Sequence, residues 1–149
     1  MEHHSYHHIH SSQPPSADEI KVRLSNTGLR PTRQRLSLAE LIFAKGDRHL
    51  AAEDLHQEAV DAGIAVSLAT VYNTLHQFNR AGLLRVLAVE GSRTYFDTNT
   101  SDHHHFLVED TNELIDLPGD HLNVDNLPEP PAGMEIANVD VVVRLRRKL

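Results

Sequence analysis

Apolar residues fall three and four positions apart through most of residues 17–84, the spacing that gathers them on one side of a helix. Ile20 and Leu24, followed by Thr27-Gly28, predict a short helix closed by glycine. Thr32 caps a second, in which Leu36, Ala39, Ile42 and Phe43 form the apolar stripe and Lys45-Gly46 marks the end. A third starts near Ala51 with Glu53 and Asp54 in its first turn, where acidic groups suit the positive end of the helix dipole. It buries Leu55, Ala59 and Ala62, and Gly63 terminates it. Ser67 caps a fourth, SLATVYNTLHQFNRAGLL, with Leu68, Val71, Tyr72, Leu75 and Phe78 as its apolar set. Its other face presents Thr70, Asn73, Thr74, Gln77 and Arg80. A plainly solvated face usually favours Lys and Glu, whereas Thr, Asn and Gln are groups that read base edges and touch phosphates.

The period then shortens to that of strands. In LLRVLAVEGSRTYFDTN two β-rich runs flank Glu90-Gly91-Ser92, a hairpin turn. Three helices, a fourth with a readout-type face, then a hairpin is the order of a winged helix-turn-helix. On that reading Tyr72 and Asn73 approach base edges, with Tyr72 equally suited to half-buried packing. Ser67, Thr70, Arg80 and the wing residue Arg93 touch phosphates. Arg85 lies near the base of the wing, and Arg30, Arg33 and Arg35 around the second helix start offer further phosphate contacts.

Past Asn99 come HHHFLVED and ELIDL, short strands separated by Thr111-Asn112, and a final run, GMEIANVDVVVRLRRKL, in which Val139, Val141 and Val143 share one apolar face. The intervening GDHLNVDNLPEPPAG is too proline-rich for a long helix. Three strands bury such a face poorly, so pairing of two copies through residues 100–149 is expected. The fold class is therefore α+β: a winged-helix DNA-binding domain over 17–97, then a small C-terminal α/β dimerisation and ligand-sensing domain over 98–149. Residues 1–16, MEHHSYHHIHSSQPPS, hold five histidines without apolar period and read as a disordered arm.

Composition adds three constraints. No apolar run approaches the roughly eighteen residues of a membrane span and no signal peptide is visible, so a cytoplasmic protein is expected. The net charge of −7 is uneven: residues 18–90 carry nine basic and nine acidic groups, residues 91–149 five and eleven. A neutral first half can still display a basic face, so the overall charge does not exclude DNA. Finally, cysteine is absent, which excludes disulfides, thiolate catalysis and cysteine-based zinc clusters. Any metal must be held by imidazole and carboxylate.

The stretch DHHHFLVEDTNELIDLP, residues 102–118, is where such ligands concentrate. On a strand His103 and His105 point one way and His104 the other. The first two, about 7 Å apart at Cα, can converge on a small cation. Asp97, Asp116 and His49 are candidates for the remaining ligands, a set suited to Zn²⁺, Fe²⁺ or Mn²⁺. The competing reading is an exposed polar strand end. His56 and His76 fit structural or solvent-facing positions on helices, and His121 falls in an irregular loop.

Three stretches, HLAAEDLHQEAV (49–60), SLATVYNTLHQFNRAGLL (67–84) and the run from EGSRTYFD to DHHHFLVEDTNELID (90–116), together resemble the ferric uptake regulator (Fur) family. Within it, the lack of cysteine, the triple histidine and the VDVVVRLRRK ending are similar to the iron response regulator (Irr) branch of α-proteobacteria. The resemblance implies a homodimeric regulator of iron and haem metabolism that binds double-stranded operator DNA, mainly as a repressor. It implies a sensory metal site of His49, Asp97 (where Glu is more usual), His103, His105 and Asp116. A second family site departs from pattern: His104 stands at an aspartate position, Asp102 at a histidine position and Val139 where a further histidine would lie. The structural zinc cysteines fall on Val108 and Thr111, and Asn73 replaces a frequent arginine on the fourth helix.

The branch resemblance also implies haem, at a site drawn from His103, His104 and His105. Six-coordinate haem needs axial ligands on opposite sides of the porphyrin, which two histidines on one face of one strand do not readily supply. Haem would then take one of them with a residue from elsewhere, compete with the cation and lower DNA affinity. The alternatives are a purely metal-responsive repressor and a histidine-rich metal buffer or metallochaperone. No nucleophile–base pair or phosphate-cradling glycine loop points to an enzyme.

Overall fold

The protein was described as a computed structural model covering residues 14–88, 93–101, 103–118 and 121–149. The histidines of the N-terminal arm, the Glu90-Gly91-Ser92 turn and Asp102 lie outside the described residues. The chain divides into two compact units, the first running to Ala88 and resuming over Arg93–Thr100, the second containing Ser101–Leu149.

In the first unit the capping residues place the helices. Ser16 precedes α1 (Ala17–Asn26) and its hydroxyl accepts the Glu19 N–H at 3.2 Å. Thr32 does the same for α2 (Arg33–Phe43) through the Arg35 N–H at 3.2 Å, and Ser67 for α4 (Leu68–Arg80) through the Thr70 N–H at 3.1 Å. Each satisfies a donor that the first helical turn leaves without a carbonyl. Before α3 (Ala52–Asp61) Ala51 has no such group, and the Asp54 carboxylate reaches back to accept the Ala51 N–H at 3.0 Å.

The helices enclose a core of Leu38, Ile42, Leu55, Val71, Leu75 and Phe78, joined by Leu50 and Phe96 from a small sheet. That sheet contains β1 (His49–Leu50), β2 (Arg85–Ala88) and β3 (Thr94–Asp97) in the order β1-β3-β2, with both pairs antiparallel. Burying each large side chain contributes roughly 1.5–3 kcal/mol before the entropy of ordering it.

Three expectations about these helices are corrected. Leu68 and Tyr72 are 42% and 45% exposed, whereas Thr74, assigned to the polar face, is 5% exposed. The buried arc is centred on Val71, Leu75 and Phe78; Tyr72 stands one residue, about 100°, round from Val71, while Thr74 stands only about 60° round on the other side, next to Phe78. Ala62 is exposed because α3 ends at Asp61 and Ala62 is its C-cap. The fourth helix stops at Arg80, and the chain turns through Gly82 at φ 82°.

The second unit is a three-stranded sheet in the order β5-β4-β6. β4 (His103–Val108) and β5 (Glu113–Pro118) form an antiparallel hairpin whose turn holds Asn112 at φ 57°, a left-handed conformation that asparagine tolerates. β6 (Val142–Leu145) pairs parallel to β4. The final strand is thus shorter than the valine alternation predicts, and Val139 precedes it. Residues 122–141 form neither helix nor strand, in keeping with their prolines. Leu107 and Leu117 are the buried apolar residues described in this unit, while Leu127, Met134 and Ile136 stay 45%, 68% and 48% exposed.

Candidate metal centre

In the first unit, strand pairing sets His49 directly opposite Asp97. The approach is held from behind by Arg48. Its N–H donates to Thr98 Oγ1 at 2.8 Å, its carbonyl accepts the Thr98 N–H at 3.1 Å, and its guanidinium grips both Glu58 oxygens at 2.9 and 2.6 Å. Those bonds hold the Glu58 carboxyl below its ordinary pKa, Lys45 at 3.2 Å adding to the effect. His49 Nε2 lies 3.1 Å from Asp97 Oδ2. Asp97 is 1% exposed, and its other oxygen accepts the Asn99 N–H at 2.9 Å. A carboxylate so buried is retained where a cation or donors meet it.

In the second unit, the alternation of β4 turns His103 and His105 to the buried side and leaves His104 half-buried on the other. His105 pairs directly across from Asp116, and His103 is its diagonal neighbour. The two Nε2 atoms stand 3.4 and 3.3 Å from the same Asp116 oxygen. The His103 and His105 rings meet edge to face at 4.6 Å. A backbone contact sets the first ring, since His103 Nδ1 lies 2.7 Å from the Ser101 carbonyl oxygen, which directs Nε2 toward Asp116. His104 does not join this group: its Nδ1 accepts the Val141 N–H at 3.1 Å and ties β4 to the approach of β6.

The separations fit ligands of one ion. With bonds of about 2.0–2.2 Å, tetrahedral donors stand about 3.4 Å apart and octahedral ones about 3.0 Å. The His103–Asp116 and His105–Asp116 contacts, and separately the His49–Asp97 pair, have that spacing. Nitrogen and oxygen donors without sulfur suit Zn²⁺, Fe²⁺ or Mn²⁺. Sequence reasoning missed Arg48 as the residue that positions His49, because its partners Glu58 and Thr98 are recognisable only once α3 and β3 are packed.

The expected readout residues also lie in the first unit. Tyr72, Asn73 and Arg80 are exposed on α4, as is Ser67 at its cap, while Thr70 is half-buried. Arg93 is exposed, with its guanidinium 3.7 Å from Asp54 and 5.8 Å over the Tyr95 ring. Beside α4 an open polar cleft of about 340 Å³ runs past Thr70, Asn73, Gln77 and Arg35. Arg35, half-buried, donates to the Arg30 carbonyl at 2.9 Å and to Gln77 Oε1 at 3.1 Å. Arg30 and Arg33 are exposed nearby.

A winged-helix unit followed by a small unit built on a three-stranded sheet, each carrying imidazole and carboxylate donors, defines a class of DNA-binding architecture equipped with cation ligands. Residues 26–143 match the Ferric uptake regulator family, and the chain belongs to that family. Among its relatives, the ferric uptake regulation protein of Vibrio parahaemolyticus is 36% identical over 98 residues, 65% of this chain and 66% of the relative. That of Escherichia coli is 33% identical over 100 residues, 66% of this chain and 68% of the relative. The chain thus spans about two thirds of the length of these relatives. The structure of the ferric uptake regulator from Pseudomonas aeruginosa with manganese superposes with a TM-score of 0.68 at 28% identity, covering 86% of this chain and 97% of that one. The Vibrio cholerae regulator, at 23% identity, shares the fold with a TM-score of 0.64, covering 85% and 98%.

Proposed function

We propose that this chain is a metal-responsive transcriptional regulator, mainly a repressor, that binds operator DNA as a homodimer. Its sensory site joins His49 and Asp97 to His103, His105 and Asp116. The observation that carries the reading is the His103–His105–Asp116 group, two buried imidazoles and a half-buried carboxylate at ligand-to-ligand spacing. Three protein ligands leave coordination positions to fill, and the His49–Asp97 pair is the matching remainder. Asp97 and His103 are separated by six residues of chain, so their Cα atoms can never stand more than about 20 Å apart.

A divalent cation, iron, manganese or zinc, supplies charge and directional bonds that carboxylate and imidazole from both units satisfy together. His103 and His105 would offer it their Nε2 atoms, Asp97 and Asp116 would balance its charge, and Arg48 holds His49 in register. Occupancy then selects one arrangement of the winged helix, and with it the spacing of two α4 helices on successive turns of the major groove. Ser67, Thr70, Arg80 and Arg93 serve as phosphate contacts, with Tyr72 and Asn73 at base edges. Dimerisation through the second unit is supported by its small core and by the exposed Leu127, Met134 and Ile136.

Haem regulation of the Irr kind is the second reading, resting on the branch resemblance of the triple histidine. Haem ligation by His103 or His105 removes a cation ligand and lowers DNA affinity. One experiment separates the readings: footprinting of wild type and the His103→Ala/His105→Ala variant on operator DNA, with and without Mn²⁺ and haemin. Metal-dependent protection lost in the variant supports the sensor, and haemin release of wild type alone supports the haem reading. Protection indifferent to chelation and to both substitutions would sink both.

A further inference from the structure

The polar side chains of α4 are not equally available. Thr74 is buried, and the Ser67 hydroxyl donates to Thr70 Oγ1 at 2.9 Å. Gln77 has its carbonyl oxygen committed to Arg35. Asn73 differs: it is exposed in the second turn of the helix, and its carboxamide makes no hydrogen bond among the described residues. It borders the cleft on one side and follows the exposed Tyr72, whose ring is held edge-on by His76 at 4.4 Å. A short, stiff side chain therefore offers one acceptor and one donor side by side, outward, from the part of the helix that reaches base edges in helix-turn-helix docking.

We propose that Asn73 reads an adenine in each operator half-site, its Oδ1 accepting from N6–H and its Nδ2 donating to N7. This rests on the regulator reading above and adds the base that α4 selects. In the major groove adenine pairs a donor with an adjacent acceptor, the complement of a carboxamide. Guanine presents two acceptors, leaving Oδ1 without a donor, and cytosine presents a donor alone. An unmatched polar group at a desolvated interface costs more than a missing contact, so the choice is enforced by rejection as well as attraction.

The test selects operators from random duplexes with the full-length protein in Mn²⁺, then replaces each adenine in turn with 7-deazaadenine, which keeps Watson–Crick pairing and deletes N7. Wild type is expected to lose about 5- to 150-fold in affinity at one adenine per half-site. Asn73→Ala, an exposed substitution that leaves the fold intact, is expected to bind the parent operator more weakly by a similar factor. It should be indifferent to the deaza base at that position alone, with an unchanged salt dependence. If Asn73→Ala keeps the full deaza penalty profile, or weakens all duplexes equally, or loses discrimination at a guanine, the adenine contact is wrong while the regulator stands. Enrichment of no duplex at all would overturn the regulator reading and this contact with it.

Discussion

Glu58 shows how a single carboxylate can position a ligand it never touches. Its two oxygens are held by Arg48, and those bonds keep its pKa below the ordinary value of about 4.3. A depressed pKa in the folded state contributes stability that is present above the unfolded value and lost as pH falls through the folded one. Urea midpoints of wild type and Glu58→Gln are therefore expected to differ at pH 7 and to draw together as pH falls through the lowered folded-state pKa; a gap that does not change with pH would refute the pairing. Asp116 faces both imidazole Nε2 atoms, at 3.4 and 3.3 Å. Even partners outside a coordination shell change metal affinity by about 10- to 100-fold, so Asp116→Asn is expected to weaken Mn²⁺ by at least about 10-fold in calorimetric titration. His103 and His105 were legible as a pair from the sequence because strand alternation is local. Arg48 was not, because its two partners lie ten and fifty residues away.

Helix starts and stops were the most readable elements, since a cap needs only neighbours in sequence. Thr32 and Ser67 each sit at the predicted position with the bond that caps require, and Ser16 does the same for α1 without having been singled out in the sequence. Replacing Ser67 by Ala removes the acceptor for the Thr70 N–H and is expected to cost about 1 kcal/mol in urea unfolding. Gly63, just past α3, has φ 72° with open space around its would-be Cβ, so Gly63→Ala meets only backbone strain and should destabilise by about 1–2 kcal/mol by the same measurement. Burial at the edge of a helix face was less readable. Tyr72 and Thr74 exchanged places between exposed and buried because packing partners, not period, decide at the margin of an apolar arc. The last strand was overextended for a related reason: alternating valines continue N-terminal to Val142, but β4 pairs with β6 only over His105–Val108.

For the whole chain, a ligand that binds the folded state adds stability by mass action. Wild type in excess Mn²⁺ is expected to melt at a higher temperature than in chelator, the gain reaching about 2.7 kcal/mol at a hundred times the dissociation constant. His105→Ala should lose most of that gain while its metal-free midpoint, read by circular dichroism, reports any folding defect separately. Equal metal stabilisation of both proteins would place the cation elsewhere.

What the sequence determined by itself were the local matters: four helices, two with their capping residues, the alternation of the triple histidine, the exclusion of sulfur ligands, and a family resemblance carried by ordered motifs. These depend on residues within one or two turns or strand steps of each other, where backbone geometry alone dictates direction. Tertiary structure decided which distant groups meet. It set His49 opposite Asp97 and His105 opposite Asp116, withdrew His104 to the backbone of Val141, and tied Gln77 to Arg35 while leaving Asn73 exposed. Such pairings follow from strand register and helix packing, which are settled by the burial of the whole core.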